Sequence, residues 1–312
     1  MGYPKVCLVI VNWNGLPDTV ECLNSLTNVT YPNYGVVLVD NGSSNEEGTV
    51  LTQRYGHQHS IISLDSNYGL GIAINAGMKY AIESLNADYL LLLNNDVVVD
   101  PEFIGEMVKV AEQDTEVGLA GAKTYFYDEP ERIQLVWGSL NLWKGQAIGR
   151  PRTLIGKTMT KEYDRGQYDE VRDIDWVNGC CFLVKADAVR QIGMLDEGYF
   201  VCWEEIDYCL RMQRAGFKVV YVPKAKVWHK GNRSTAKTSG FIQYYNARNR
   251  FRFMRKHATK MQFASFFIYF LTFVLWARTL YYIVYERNLS SIMWLYRGVR
   301  DGLRESVETS YS

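Results

Sequence analysis

Between Tyr208 and Tyr285 the chain has no aspartate or glutamate, although 15 lysines and arginines lie there. The chain carries 34 residues of each sign, so the remaining 19 basic residues face all 34 acidic ones, and a net charge of zero hides a strong segregation. A basic stretch of this kind points to an anionic partner: phosphates, a lipid surface or nucleic acid. No groove-reading motif accompanies it, which argues against nucleic acid. The six cysteines lack metal-ligand spacing; Cys180 and Cys181 are adjacent, and Cys202 and Cys209 are seven apart. Neither a structural zinc site nor a disulfide framework is expected, and the thiols are read as reduced and mostly buried. There is no low-complexity run and no internal repeat, and no cleavable signal peptide is expected at the N-terminus.

What is present is 312 residues with 47% hydrophobic content, enough for one large core, or one core with an appendage. The most informative stretch is Leu90-Leu91-Leu92-Leu93-Asn94-Asn95-Asp96-Val97-Val98-Val99. Four leucines are too short for a helix and right for a buried strand, and that strand stops in Asn-Asn-Asp. Ligands of open α/β sheets bind outside the carboxyl ends of strands, where a carboxylate can hold a hard cation and, through it, a diphosphate. An ordinary turn is the alternative, since Asn and Asp are turn formers.

Upstream, strands are expected at Lys5–Asn12, Val36–Val39 and Ser60–Leu64, with helices from Pro17 to about Leu26, over Glu46–Tyr55 and over Gly71–Leu85. Four strand–helix alternations predict a parallel sheet covered on both faces. Each strand ends in a polar group, at Asn12, Asp40, Asp65 and Asn94 with Asp96, which lines one sheet edge with polar side chains. Gly69-Leu70-Gly71 lacks the third glycine of a dinucleotide fingerprint and is set aside. Further on, a helix is expected over Pro101–Gln113 and strands at Val117–Ala122, Val177–Val184, Lys218–Val222 and Val227–His229. A partly β, pocket-shaping insertion is expected over 125–175, and a short helix over Lys185–Ile192.

Glu204-Glu205-Ile206-Asp207 opens a helix that ends near Gly216, where acidic residues are also favoured by the helix dipole. Asp207 stands four before Arg211, the spacing of a helical ion pair, whereas Cys209 occupies that position relative to Glu205. Glu205 is therefore the better candidate to accept a proton. His229 leads into a basic loop, Lys230-Gly231-Asn232-Arg233-Ser234, suited to metal and phosphate ligation.

Taken together, VIVNWNG (10–15), VVLVDNGSS (36–44), SNYGLGIAINAGM (66–78), LLLNNDVVV (91–99), VNGCCFLVKADAV (177–189), MLDEGYFVCWEEIDYCLRMQRAGF (194–217) and VWHKGNRS (227–234) resemble glycosyltransferase family 2, in its rhamnosyltransferase-like branch. The resemblance implies a GT-A fold, an α/β nucleotide-diphospho-sugar transferase with a mostly parallel central sheet and helices on both faces. It spans most of residues 5–250, so a catalytic domain over 1–245 and a C-terminal segment over 246–312 are expected. It implies inverting transfer of a sugar from a nucleoside-diphosphate sugar donor to an acceptor hydroxyl, a glycan or lipid-linked acceptor being expected. Matched position by position, Asp40 recognises the base or ribose and Asn67 lies near the nucleotide. Val11, Asn12, Asn14, Gly69, Asn75 and Asn95 fall in the nucleotide-sugar motifs, and Lys230 and Arg233 are placed to close over phosphates. Asn94, Asp96 and His229 take the metal positions for Mg²⁺ or Mn²⁺, the imidazole favouring Mn²⁺. Trp176, Gly179, Trp203 and Glu204 fall in the acceptor motifs. Catalysis is assigned to Glu205 as general base, with Asp207 beside it. Two departures stand out: Asn94 replaces a carboxylate, and Glu205 replaces the usual aspartate.

A sugar nucleotidyltransferase is the alternative enzyme, but Asn12-Trp13-Asn14-Gly15 lacks the charge needed to grip a triphosphate. A catalytically inactive, membrane-bound glycan-binding protein is the non-enzymatic alternative. Arg248, Arg250, Arg252, Arg255, Lys256 and Lys260 form a polybasic run ahead of Phe263–Tyr285, 23 residues with Arg278 as the one charge and ten aromatics. As a helix this stretch is about 34 Å long. Its aromatic content favours the water–lipid boundary, and Ile292, Leu295, Tyr296, Val299 and Leu303 make a second, amphipathic helix suited to a membrane surface. In-plane attachment at the cytoplasmic face of the cell membrane is expected, because Arg278 is costly inside lipid. The alternatives are a core-packing helix and an aromatic interface that makes a homo-oligomer.

Overall fold

The computed structural model describes residues 2–151, 153–154, 157–158, 161–231 and 240–304. Strands β1 (Val6–Asn12), β2 (Tyr34–Asn41), β3 (Ser60–Leu64) and β4 (Tyr89–Asn94) alternate with helices α1 (Leu16–Leu26), α2 (Glu47–Tyr55) and α3 (Leu70–Glu83). β1 pairs in parallel with β2 and β4, and β2 with β3. Side chains alternate along β1. Val6, Leu8 and Ile10 pack with Cys22, Leu23 and Leu26 of α1 and with Phe103, Ile104 and Met107 of α4 (Phe103–Gln113). Val9 instead meets α3, whose Gly77 lies so close that an added Cβ would stand 2.4 Å from Val9 Cγ1 and 3.1 Å from Val39 Cγ2.

The leucine strand stops at Asn-Asn-Asp as expected, and Val97–Val99 forms a second, separate strand. β4 stops at Asn94, and β5 (Val97–Val99) pairs elsewhere. β6 (Val117–Phe126) is followed by short elements in the 125–175 region. These are β7 (Ile133–Leu135), the ribbon of β8 (Trp137–Asn141) and β9 (Gln146–Arg150), the pair β10 (Thr153–Leu154) and β11 (Lys157–Thr158), and β12 (Arg172–Asp173). That region is pinned where the fully buried Lys123 reaches Asp164 at 2.9 Å and Asp169 at 2.6 Å.

β13 (Cys181–Lys185) begins four residues later than expected, because Asn178 turns the chain and accepts from Cys180 N at 3.2 Å through its side chain. β13 runs antiparallel between β4 and β6, and α5 (Ala186–Ile192) and α6 (Glu204–Arg214) follow. The segments expected at Lys218–Val222 and Val227–His229 are one strand, β14 (Lys218–His229), parallel to β6. Its register slips between Val222 and Lys226, around Pro223, which has no N–H for a ladder. The order β12-β14-β6-β13-β4-β1-β2-β3 makes a mixed, mostly parallel sheet.

The chain divides into two compact units, the first comprising residues 1–138, 149–200 and 204–234, and the second 139–148, 201–203 and 235–312. In the second unit α7 (Phe241–His257) leads through a Thr259 capping box into the helix α8 (Lys260–Val284), which widens into a π-helical stretch at Phe270–Val274, and then to α9 (Leu289–Arg304). Two of the five residues of the apolar stripe expected to face a membrane on α9 are used internally. Leu295 and Val299 are buried with Gly298 and Gly302, where an added Cβ would stand 2.3 Å from Tyr244 O and 3.1 Å from Arg248 Cα of α7. Small residues one turn apart admit the backbone of α7; Tyr296 and Leu303 stay exposed.

Gly77→Val is expected to lower stability by about 1–3 kcal/mol, the cost of overpacking a filled contact. Urea denaturation with an unchanged midpoint would show that α3 does not press on β1 and β2 as described.

Candidate active site

Register brings the first two candidate residues together. Val97 pairs with His229 and Val99 with Val227 in the antiparallel β5–β14 ladder, and Lys230 N donates to Asp96 O at 3.0 Å. The buried Asp96 carboxylate consequently meets His229, Oδ1 to Nε2, at 3.2 Å. His229 Nδ1 stands 2.8 Å from Gln134 Oε1, and since an amide oxygen only accepts, Nδ1 carries the proton there. That leaves Nε2 for Asp96 or for a cation. Burial works to raise the Asp96 pKa, but the hydrogen bond and charge of His229, with the charge of Lys230, outweigh it and hold the carboxyl below the ordinary aspartate range.

The donor set fits a divalent cation. Two neighbouring ligands of an octahedral ion, each at about 2.1 Å, stand about 3 Å apart. A ligating imidazole ordinarily donates its other N–H to an oxygen, the role Gln134 fills. Among the described residues no group of three or more His, Cys, Asp and Glu side chains is placed to hold a metal. A cation at Asp96 and His229 would take its further ligands from the amide oxygen of Asn94, which is half-buried at the end of β4, from a diphosphate and from water.

A polar network runs along the same strand ends. Asn12 is fully buried opposite Asp40 in register; its Nδ2 donates to Asp40 at 2.9 Å, Ser43 at 3.1 Å and Glu47 at 3.0 Å, and its Oδ1 accepts from Thr19 at 2.7 Å. Asn95 donates to Thr19 Oγ1 at 2.9 Å, which extends the network to the residue beside Asp96. Val11 lies opposite Asn94 across β1 and β4. Asn14, at φ 52°, accepts from the N–H and the hydroxyl of Ser44 at 2.8 and 2.7 Å. Asn67 accepts from Asn41 Nδ2 at 3.0 Å and from Gly69 N at 2.9 Å. Gly69 takes φ +93°, and a Cβ there would stand 2.8 Å from Phe200 O. Asn75 brackets Leu195 with two 3.0 Å bonds and donates to Glu197 at 3.0 Å, fastening that loop to α3. Lys230 is held by α1, at 2.6 Å from Asp18 and 2.5 Å from Glu21. Arg233 lies outside the described residues.

The carboxylates of α6 differ in their surroundings. Asp207 is buried in the expected ion pair, 2.8 Å from Arg211 Nε. Glu205 lies against the backbone of Gly179, where an added Cβ would stand 3.4 Å from its Cδ. Burial pushes the Cys180 thiol up to about 12; a hydrogen bond with Thr124 works against this, and the charges of Asp96 and Glu205 both add to it. Trp176 packs on Gly138, with paired backbone bonds of 2.9 and 3.4 Å. Trp203, at φ 76°, belongs to the second unit, where its Nε1 donates to Asn246 at 3.3 Å.

Sequence reasoning missed Gln134, Asn41, Thr19 and Glu47. Glu47 accepts from Gly15 N at 3.1 Å and Leu16 N at 3.2 Å, and so caps α1 from across the sheet edge. Neither it nor Gln134 stands at a local spacing that would reveal the contact.

Glu204 is buried with no hydrogen-bond partner for Oε2 among the described residues, and burial, then the charge of Glu205, raises its pKa well above the ordinary glutamate value. Because the folded pKa lies above the unfolded one, the stability this proton supplies is complete below about pH 4.3 and is lost as the pH climbs through the folded value. Glu204→Gln, a permanent mimic of the protonated form, should melt above the wild type at neutral pH, with the gap closing as the pH falls toward 4.3. Equal melting temperatures across that range would place Glu204 in water.

A carboxylate–imidazole pair at a strand end, a polar edge and a carboxylate set against Gly179 can hold a diphosphate group and take a proton from an alcohol. Known proteins are similar to the chain in these terms. The family model "Glycosyltransferase like family 2" matches residues 4–254. The N-acetylglucosaminyl-diphospho-decaprenol L-rhamnosyltransferase of Mycobacterium tuberculosis is 28% identical over 244 residues, covering 74% of this chain and 77% of its own. Rhamnosyltransferase WbbL of Escherichia coli is 25% identical over 228 residues, covering 72% and 83%. Among solved structures, the mannosyltransferase PcManGT of Pyrobaculum calidifontis, in complex with GDP-Man and Mn²⁺, superposes with a TM-score of 0.61 at 13% identity, covering 97% of this chain and 88% of its own, a likeness of fold. The chain therefore belongs to glycosyltransferase family 2, with a GT-A fold, in the branch that includes rhamnosyltransferases.

Proposed function

We propose that this glycosyltransferase moves a sugar from a nucleoside-diphosphate sugar to a hydroxyl of a lipid-linked glycan, with inversion, at the site made by Asp96, His229 and Glu205. The observation that carries the reading is the buried Asp96–His229 pair, Oδ1 to Nε2 at 3.2 Å, at the carboxyl ends of the strands. Asp96, His229 and the Asn94 amide would hold Mg²⁺ or Mn²⁺; bound there, such an ion neutralises charge on the leaving diphosphate. Glu205 accepts the proton of the attacking hydroxyl, a contribution of about 10²–10⁴-fold for a general base. The hydroxyl attacks opposite the departing diphosphate, and the anomeric configuration inverts. Asp40 and Asn67, with Asn12, Asn14 and Asn95 bracing the strand ends behind them, shape the nucleoside side. Gly179 and Trp176 border the acceptor side. Lys230, now paired with α1, would have to exchange carboxylates for phosphate to close over the donor.

The lipid side of the proposal rests on α8, a helix long and apolar enough to cross a membrane by length and composition. Phe273, Trp276 and Leu280 are 64, 59 and 58% exposed at helical spacing, so they form one outward apolar face. The other face carries the buried Phe266 and Phe270, packed on Phe251 of α7 at ring distances of 5.1 and 5.0 Å. A helix greasy outside and engaged inside suits attachment in the plane of the cytoplasmic leaflet. The mycobacterial relative's name, which specifies a diphospho-decaprenol acceptor, supports the same class of acceptor.

Glu205→Gln should keep nucleotide-diphosphate binding and lose transfer by about 10²-fold or more, measured with a panel of nucleotide sugars. Asp96→Ala should lose the Mn²⁺-dependent part of nucleotide binding in calorimetry. Full transfer in the first variant, or unchanged affinity in the second, removes the corresponding role. Membranes washed in high salt should retain the wild type, whereas F273S/W276S/L280S should be released into the wash; full release of the wild type by salt alone would refute insertion.

A further inference from the structure

The tip of the β8–β9 ribbon, Leu142-Trp143-Lys144-Gly145, belongs to the second unit and is fastened to α8 within it. Gly145, at φ +54°, lies so close to Phe266 that an added Cβ would stand 2.4 Å from its Cδ2. Gln146 Nε2 donates to the Tyr269 hydroxyl at 3.0 Å, and Lys144 Nζ stands 5.6 Å from the centre of the same ring. Tyr269 stacks in turn on Phe273 at 5.7 Å, and Phe273 belongs to the exposed apolar face of α8. The ribbon tip therefore borders that face. Trp143, at the turn, is 51% exposed, so its indole adds little to the core.

The apolar face runs the length of the helix, through Met261, Ile268, Phe273, Trp276, Leu280 and Ile283, each about half exposed or more. The step of five from Ile268 to Phe273 falls where the π-helical turn adds a residue, which keeps the stripe on one side. The opposite side is held by other elements at both ends of the helix. Phe251 of α7 and the ribbon tip hold Phe266, and Thr279 Oγ1 meets the Tyr296 hydroxyl of α9 at 3.4 Å. Were α8 to cross a bilayer, the edges of the two-stranded ribbon and the guanidinium groups of α7 would follow it into hydrocarbon, where neither is satisfied. Only the exposed side can be immersed.

Charge selects the occupant. Among its described residues the second unit carries twelve lysines and arginines against two acidic residues, Glu286 and Asp301. A second copy of the chain would set like charge against like, whereas anionic headgroups complement it. An apolar stripe edged by Trp, Tyr and Lys also matches the water–lipid boundary. We propose that the ribbon tip is a second membrane anchor: Trp143 enters the headgroup layer of an anionic phospholipid bilayer beside α8, with Lys144 at the phosphates, and so fixes α8 flat in one leaflet. The inference rests on the membrane attachment proposed above. It adds a contact from a segment far from α8 in sequence, and it sets the depth and orientation of the helix.

The test is a depth measurement on the full chain bound to vesicles of phosphatidylcholine and phosphatidylglycerol. A fluorophore is placed singly on Trp143→Cys, Ile268→Cys, Leu280→Cys or, as a control in water, Lys109→Cys, in a Cys202→Ser background because the other five cysteines are buried. Lipids carrying a nitroxide at the headgroup or deep in the acyl chain then quench each label. Labels at 143, 268 and 280 should share one shallow depth, and the label at 109 should not be quenched. Trp143→Ala should lower vesicle partition about five- to tenfold, as for half of a large apolar side chain, and melt like the wild type without vesicles; Trp143→Tyr should keep most of the partition. A label at 143 that stays in water while those on α8 are immersed overturns the anchor and leaves the attachment of α8 standing. Depths graded through the midplane from 268 to 280 would make α8 a span and overturn the flat arrangement. Quenching at no position removes the membrane reading itself, and with it this inference. Shielding of the same labels without vesicles, with a doubled mass in light scattering, would give the face to a second copy and likewise overturn the proposal.

Discussion

The antiparallel pairing of Val97–Val99 with Val227–His229 is the constraint on which the site depends. β4 is committed to β1 and β13, and at Asn94 the chain leaves that ladder, turns through Asn95-Asp96 and takes a new partner 132 residues away, Val97 opposite His229. The turn residues are therefore located twice. Asn95 is tied back to α1 through Thr19, and Asp96 is tied forward to β14 through its own carbonyl and His229. A side chain fixed from both sides loses little entropy when a ligand arrives, and such preorganisation is what the proposed role of Asp96 requires.

Much of this was legible in the sequence, and what was not has physical reasons. The parallel half of the sheet could be read because fully buried strands are continuous apolar runs, and β3 and the other strand ends lie within a residue or two of their expected positions. β14 was read as two pieces because Pro223-Lys224-Ala225 interrupts the apolar pattern, yet a bulge absorbs those residues without ending the strand. The VNGCC segment misled in the opposite sense: its apolar content continues through Val177, but the Asn178 turn keeps those residues out of the ladder. The candidate residues on strand ends were visible one by one. The groups that position them, Gln134 for His229, Thr19 for Asn95 and Glu47 for Asn12, come from distant segments, and single-sequence reasoning has no term for such contacts.

The asparagines along the edge show a division of labour between shape and chemistry. Asn12, Asn75 and Asn95 spend their amides on other protein groups, so their contribution to a ligand is indirect, through the positions of Asp40, the Leu195 loop and Asp96. Uncharged amides suit this work, since each both donates and accepts and none adds to the negative potential of an edge that must receive a diphosphate. The same consideration bears on Asn94. A carboxylate there would add negative charge beside Asp96, whereas the amide leaves His229 as the second strong donor, with its ring fixed by Gln134.

Charge segregation along the chain resolves into separate physical roles once each basic residue is considered with its neighbours. Lys218 and Lys230 neutralise carboxylates drawn from the acidic part of the chain, at 2.8 Å from Asp114 and 2.6 Å from Asp18. Arg255 binds the carbonyls of Gly302 and Leu303, closing the end of α9 where the helix dipole favours a cation. These uses are internal and explain why the residues are basic, but not why acidic residues are missing from Tyr208 to Tyr285. A carboxylate in α7 or α8 would pair with Arg250 at once and be held there by the low dielectric around it. The absence of acidic residues from that stretch leaves Arg250 with no carboxylate partner on α7 or α8 themselves.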